Sequence, residues 1–238
     1  MNEPSNKSLR RSSRDEVDSF LKQIKSTPPA TRGDARGRLL FAMDATASRE
    51  PLWDRACHIQ AQMFEETVAL GGLDVQLAYY RGFMEFSSTP WTRNAKDLLG
   101  HMTGLRCAAG HTQISRVLEH ARQETRRRSI NALVFVGDCM EENPDTLCRL
   151  AGELGILHVP VFVFQDGHDG IAERTFREVA RLSGGAWSRF DLDSAGQLRD
   201  LLCAVAVYAA GGKRALENFS ERRGGVVLKL SHQIGSRN

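Results

Sequence analysis

Three segments of this chain, RLLFAMD at 38–44, INALVFVGD at 130–138 and HVPVFVFQ at 158–165, are apolar at most positions and short enough to be single strands. Successive strand side chains point to opposite faces, so a run without polar alternation demands a sheet covered on both sides. Between and after these runs lie segments with helical spacing, among them PDTLCRLAGELGI at 144–156 and ERTFREVARLSGG at 173–185. Strand and helix alternating in this way predict an α/β fold, Rossmann-like and doubly wound, with right-handed crossovers and helices on both faces.

The remaining elements fill in the sheet. PLWDRACHIQAQMFEETVALGG at 51–72 has a long helical pattern that begins just after Pro51 and stops at Gly71-Gly72. LDVQLAYYRG at 73–82 and FMEFSST at 83–89 read as two strands joined at Gly82. A parallel crossover needs a dozen or more residues, so this pair is an antiparallel hairpin and supplies one antiparallel edge strand. NAKDLLGHMTGL (94–105) and TQISRVLEHARQETRRR (112–128) are helical pieces separated by RCAAGH, AWSRFD (186–191) is a short strand and SAGQLRDLLCAVAVYAA (194–210) a last helix. The expectation is a six-stranded, mostly parallel sheet, with no internal repeat of the kind that builds solenoids or propellers.

A chain of 238 residues, 41% hydrophobic and 26% charged, is long enough for one main domain with tails. Residues 1–36 read as a flexible basic leader in which DEVDSFLKQIK has the spacing of a short amphipathic helix. Residues 37–212 form the domain, and 213–238 a tail or edge strand. The net charge of +3 belongs to the leader, because residues 1–38 hold nine Lys/Arg against five Asp/Glu. A near-neutral body argues against a dedicated nucleic-acid surface, leaving RRSSR in the leader as the one place for phosphate contacts. The five cysteines show no metal-type spacing and read as reduced thiols, which points to the cytoplasm. No cleaved signal or membrane span is expected, since the longest apolar run, LLCAVAVYAA at 201–210, is too short for a bilayer.

In open α/β sheets, ligands bind where strands end and loops leave for helices. Asp44, Thr46 and Ser48 in FAMDATASREP follow the first strand, Thr112 in AAGHTQIS opens a helix, and Asp138 in VFVGDCMEE ends the central strand. In an extended turn residues two apart share a side, so the first three can converge. Two carboxylates and three hydroxyls, with no thiolate or imidazole, suit Mg²⁺, with Mn²⁺ as the alternative ion. The competing reading, in which Thr46 and Ser48 cap the next helix, leaves Thr112 and Asp138 unexplained.

On these residues, roughly 37–210 of the chain resembles the von Willebrand factor type A (VWA) domains. That family's metal-ion-dependent adhesion site (MIDAS) is written DxSxS, then a Thr, then an Asp. Here the first element is Asp44-Ala45-Thr46-Ala47-Ser48, with Thr in place of the usual first Ser, followed by Thr112 and Asp138. The resemblance implies a cytoplasmic, bacterial-style, metal-dependent protein-interaction module and not an enzyme. The hydroxyls would bind the ion nearly directly, Asp44 and Asp138 largely through water, and a partner protein's Asp or Glu would complete the shell.

Neighbouring residues have plainer readings. Glu141 and Glu142 serve the dipole of the helix that follows them, with a place on the rim as the alternative. Asp166 and Asp169 form a solvated turn, with a second ion site as the alternative, His111 is a helix-entry histidine, with a rim contact as the alternative, and Cys139 has no cation nearby to activate it. Arg126, Arg127 and Arg128 complement a helix end. Among other functions, a haloacid-dehalogenase-type phosphohydrolase would need a carboxylate where Thr46 stands. No phosphate-binding glycine loop or GxSxG elbow is present. RNA binding or scaffolding through the basic leader is the remaining alternative.

Overall fold

The computed structural model describes residues 36–47, 56, 62–190 and 195–222. The leader and its helix, Ser48, much of the 51–72 helix and everything after residue 222 lie outside that set. In chain order the elements are β1 (Gly37–Asp44), a 3₁₀ turn (Val68–Leu70), β2 (Leu73–Arg81), β3 (Glu85–Ser88), α1 (Ala95–Thr103), α2 (Ile114–Arg127), β4 (Ala132–Gly137), α3 (Pro144–Ile156), β5 (Val161–Asp166), α4 (Gly170–Ser183), β6 (Ala186–Phe190) and α5 (Ala195–Arg222).

The sheet has the order β3-β2-β1-β4-β5-β6. All neighbours run parallel except β2 and β3, so the six strands and the single antiparallel edge strand follow the sequence expectation. β1 is central, and all eight of its residues are buried. Its side chains divide by parity: Leu39, Phe41 and Met43 join one core with α1 and α5, and Leu40 and Ala42 join the other with α2, α3 and α4. That division is why the run RLLFAM carries no polar alternation. Aromatic rings pack both layers, with Phe162 edge-on to Tyr208 at 5.6 Å in one and Phe135 edge-on to Phe176 at 5.7 Å in the other.

Local signals set several helix starts. Asn94 caps α1 by accepting from the Asp97 N–H, Asn143 caps α3 ahead of Pro144, and Asp169 caps α4 through the N–H groups of Ile171 and Ala172. Asp169 is therefore a cap and not a freely solvated turn residue.

Two expectations change. The hairpin is not joined at a single glycine: Gly82, Phe83 and Met84 all form the turn and β3 begins at Glu85, because closing two antiparallel strands takes at least two loop residues. Residues 213–222, expected to begin a tail or edge strand, are helical; α5 bends at Gly212 (φ 70°, ψ −166°) and then buries Leu216 and Phe219 in the core. No helix among the described residues is long and apolar enough to cross a membrane.

Helix α5 reaches the central strand through a close approach at its start. A Cβ on Gly37 would lie 2.5 Å from the Ala209 carbonyl oxygen. Gly37→Ala is expected to cost about 1–3 kcal/mol by overpacking, read as a lower urea midpoint at unchanged slope. A wild-type midpoint would show that the helix can move off β1 freely.

Candidate metal centre

The strand order places its reversal between β1 and β4, where β1 leads on to β2 and β3 on one side and β4 leads on to β5 and β6 on the other. At such a switch point the loops leaving adjacent strands part in opposite directions and open a crevice at the carboxyl ends. Asp44 is the last residue of β1, and Asp138 follows the last residue of β4. The register pairs Met43 with Val136, so Asp44 lies level with Gly137 and Asp138 follows one residue farther along, at the same carboxyl edge of the sheet.

The Asp44 side chain is fully buried. Its Oδ1 accepts the Thr46 N–H at 2.7 Å, which folds the chain back over the strand end in an Asx-type turn. Its Oδ2 is buried and accepts no hydrogen bond, and the buried Tyr80 hydroxyl lies near the carboxylate but outside hydrogen-bonding geometry. Burial raises the Asp44 pKa, opposed by the Thr46 N–H and hydroxyl and reinforced by the Asp138 charge. Burial likewise pushes the Cys139 thiol up to about 12, helped by Asp138, so Cys139 stays a protonated thiol, as its sequence context suggested.

A cavity of about 230 Å³ opens in front of these groups, lined by Asp44, Thr46, Thr112, Gly110, Cys139 and Glu141 among others. The structure thus brings Asp44, Thr46 and Thr112 to one hollow. Asp138 is not among the lining residues and acts on Asp44 through its charge, and Ser48 lies outside the described residues. Among the described residues no three His, Cys, Asp or Glu side chains converge as a metal cluster, so any ion here depends on hydroxyl oxygens beside the two acids.

Thr112 is held from the next loop. Its hydroxyl donates to Glu142 Oε2 at 2.7 Å and accepts the Glu141 N–H at 2.9 Å. A threonine oxygen has two lone pairs, so one stays available to a further electrophile. Glu142 Oε1 also accepts the Ser115 N–H at 2.8 Å, while Gln113, the residue preceding α2, makes no side-chain cap. Glu141 Oε2 takes the Thr112 N–H at 3.1 Å and contacts His111 Nδ1 at 2.8 Å, contacts that together hold the Glu141 carboxyl below its usual range.

The two glutamates therefore serve the amino end of α2 and not, as the sequence reading had it, that of α3, which has its own cap in Asn143. A carboxylate satisfies the unpaired N–H groups at any helix start, and here the nearest start in space is not the nearest in sequence. Sequence reasoning considered Glu142 for the rim and missed its role in positioning Thr112. Its signal was a place four residues after Asp138, which suggested the rim of the site but does not reveal a bond to a threonine thirty positions earlier.

The donor set fits a hard cation. A buried carboxylate oxygen without a hydrogen-bond partner, a second carboxylate close enough to raise its pKa and two hydroxyls at one cavity make a negative, oxygen-lined hollow that positive charge would relieve.

Neither a protein-family model nor a curated protein matches this chain. Solved structures do. The VWA domain of SpRpn10 superposes with a TM-score of 0.55 at 14% identity, over 70% of this chain and 94% of that one. Proximal thread matrix protein 1 from the mussel byssus, in a structure with a zinc-occupied MIDAS motif, gives 0.59 at 12% identity over 72% of this chain and 46% of that one. The human COPII-coat protein Sec24c gives 0.53 at 13% identity, over 76% and 32%. This chain spans less than half of the last two. The polypeptide has the VWA-like α/β fold.

Because burial raises the Asp44 pKa above its unfolded value, this group contributes stability that is full below the unfolded pKa and lost as pH rises through the folded pKa. At neutral pH the ionised group is a net cost in metal-free protein. Asp44→Asn keeps an oxygen for the Thr46 N–H and removes the charge, so in chelator it is expected to raise the Tm by about 2–4 °C, the shift that roughly 1 kcal/mol gives in a domain of this size. A lowered Tm would mean that the carboxylate is compensated within the fold.

Proposed function

We propose that this chain is a metal-dependent protein-interaction module that binds a carboxylate of a partner protein at the Asp44–Thr46–Thr112 hollow. The observation that carries the reading is the buried, unpaired Asp44 Oδ2 on a residue that lines the cavity, with the Asp138 charge acting on it and two threonines beside it in the lining. Thr46, Thr112 and Ser48 would hold the ion by hydroxyl oxygens, with Asp44 and Asp138 supplying the negative charge. Oxygen donors favour Mg²⁺, or Mn²⁺, although the structurally similar mussel protein holds zinc at its MIDAS motif. Bound there, a divalent ion supplies positive charge and a coordination position for an incoming acid. Glu142, by accepting the Thr112 hydroxyl proton, turns a lone pair toward the cavity and makes that oxygen the better donor.

The role is recognition and not catalysis. In this reading the Asp44 charge is given to the ion, Glu141 is occupied by His111 and the Thr112 N–H, and burial and a neighbouring acid hold the Cys139 thiol protonated. The Cys139 and Cys148 thiols are free and fit a reducing, cytoplasmic setting.

Calorimetry tests the reading. Wild type is expected to show a saturable Mg²⁺ heat that Asp44→Asn lacks while remaining folded; equal heats from both proteins would overturn it. Proton competition at the raised Asp44 carboxyl should make Mg²⁺ affinity fall with decreasing pH, starting at a higher pH than for an exposed aspartate site. Glu142→Gln, which weakens the acceptor for the Thr112 hydroxyl, is expected to reduce Mg²⁺ affinity by about 10–100-fold, and an unchanged isotherm would remove Glu142 from the site.

A further inference from the structure

The β2–β3 turn stands beside the cavity and exposes two large apolar side chains in succession, Phe83 at 79% and Met84 at 76%. Turn tips ordinarily carry Gly, Asn, Asp or Ser, and adjacent exposed apolar residues at such a tip mark interaction surfaces more often than lone ones do. Met84 also adopts φ 60°, a left-handed conformation that disfavours a methionine and persists only when neighbours enforce it.

Those neighbours come from the loop and helix on either side of the cavity residues Ala109, Gly110 and Thr112. The Met84 carbonyl accepts Arg116 Nη1 at 2.6 Å, the Gly82 N–H donates to Ala108 O at 3.4 Å, and Arg81 Nη1 donates to Arg106 O at 2.7 Å. Gly110, which lines the cavity, sits so close that a Cβ on it would lie 2.0 Å from Gly82 O. The Phe83 ring meets the His111 ring edge-on at 5.3 Å, and His111 in turn contacts Glu141 on the cavity wall. Tip and cavity are one continuous, preorganised surface.

Its charge selects the occupant. Arg116 bonds the neutral Met84 carbonyl and Gln113 side chain, and among the described residues neither Arg116 nor the exposed Arg106 makes an ion pair. The Arg116 guanidinium therefore sits on the apolar tip without an ion pair, and the exposed Arg106 follows in the loop whose carbonyl holds Arg81, beside a site proposed to take a carboxylate.

We propose that the partner engages this face through a segment in which an Asp or Glu is adjacent to a large apolar residue. The acid enters the hollow, the apolar side chain packs on Phe83 and Met84, and flanking acids meet Arg106 and Arg116. The inference rests on the metal-dependent reading and adds the partner's local chemistry to it. A rigid, exposed aromatic anchor next to a polar site has the character of a binding hot spot, because little freedom is lost when it is covered.

The test uses the full chain and short synthetic peptides with one Asp flanked by Leu, Phe, Ser or Lys, measured by fluorescence anisotropy in Mg²⁺ and in chelator. The expected result is Mg²⁺-dependent binding, about tenfold tighter with Leu or Phe flanks than with Ser, lost in Phe83→Ser and retained in Phe83→Leu. Mg²⁺-dependent binding with equal affinity for all flanks, unchanged by Phe83→Ser, overturns the apolar contact and leaves the metal reading standing. Binding indifferent to chelator and to Asp44→Asn overturns the metal reading and this inference with it. Binding to none of the peptides overturns the inference, and Mg²⁺ calorimetry on the same sample then decides the metal reading separately.

Discussion

Burial of the Asp44 carboxylate costs the fold free energy that one short hydrogen bond from the Thr46 N–H does not return. Among the described residues no cation offsets it, and the nearby Asp138 adds to the cost. A group of this kind survives in a central strand when its charge serves something other than stability, and binding sites are where such groups collect. Much of the local architecture can be read as support for it. β1 is covered on both faces, the turn at Thr46 leaves one Asp44 carboxylate oxygen without a partner, and Thr112 is delivered from a loop 26 residues before Asp138.

That delivery depends on two glutamates working across the cavity. Glu142 joins the Thr112 hydroxyl to the Ser115 N–H, and Glu141 joins the Thr112 N–H to His111. One pair of side chains thus caps a helix and fixes the orientation of a candidate ligand. The same loop system runs on to the β2–β3 turn through Ala108, Gly110 and Arg116, so displacement of the tip would be felt at the cavity wall.

Strand and helix identities were legible because burial on two faces leaves its mark on every residue of β1, β4 and β5, and because Asn94, Pro144 and the Gly71-Gly72 pair are local signals. The hairpin was legible as a hairpin. Its turn was not, since Phe83 and Met84 look like strand residues by composition, and only the need for a loop at the tip exposes them. The second half of α5 was hidden behind Gly211-Gly212, where a glycine pair reads as an end although the chain resumes a helix that buries Leu216 and Phe219.

The amino-acid sequence by itself determined the layered α/β class, the six strands, the antiparallel edge and the residue types of the candidate centre, because periodicity and short motifs are properties of neighbours along the chain. Only the tertiary structure decided that the switch point falls between β1 and β4, bringing Asp44 and Asp138 to the same sheet edge one residue out of step, and that Glu142 holds Thr112 and α2. It also set the Phe83–Met84 tip against His111 and Gly110. These are contacts between segments far apart in sequence, fixed by strand order and loop packing, and no local pattern carries that information.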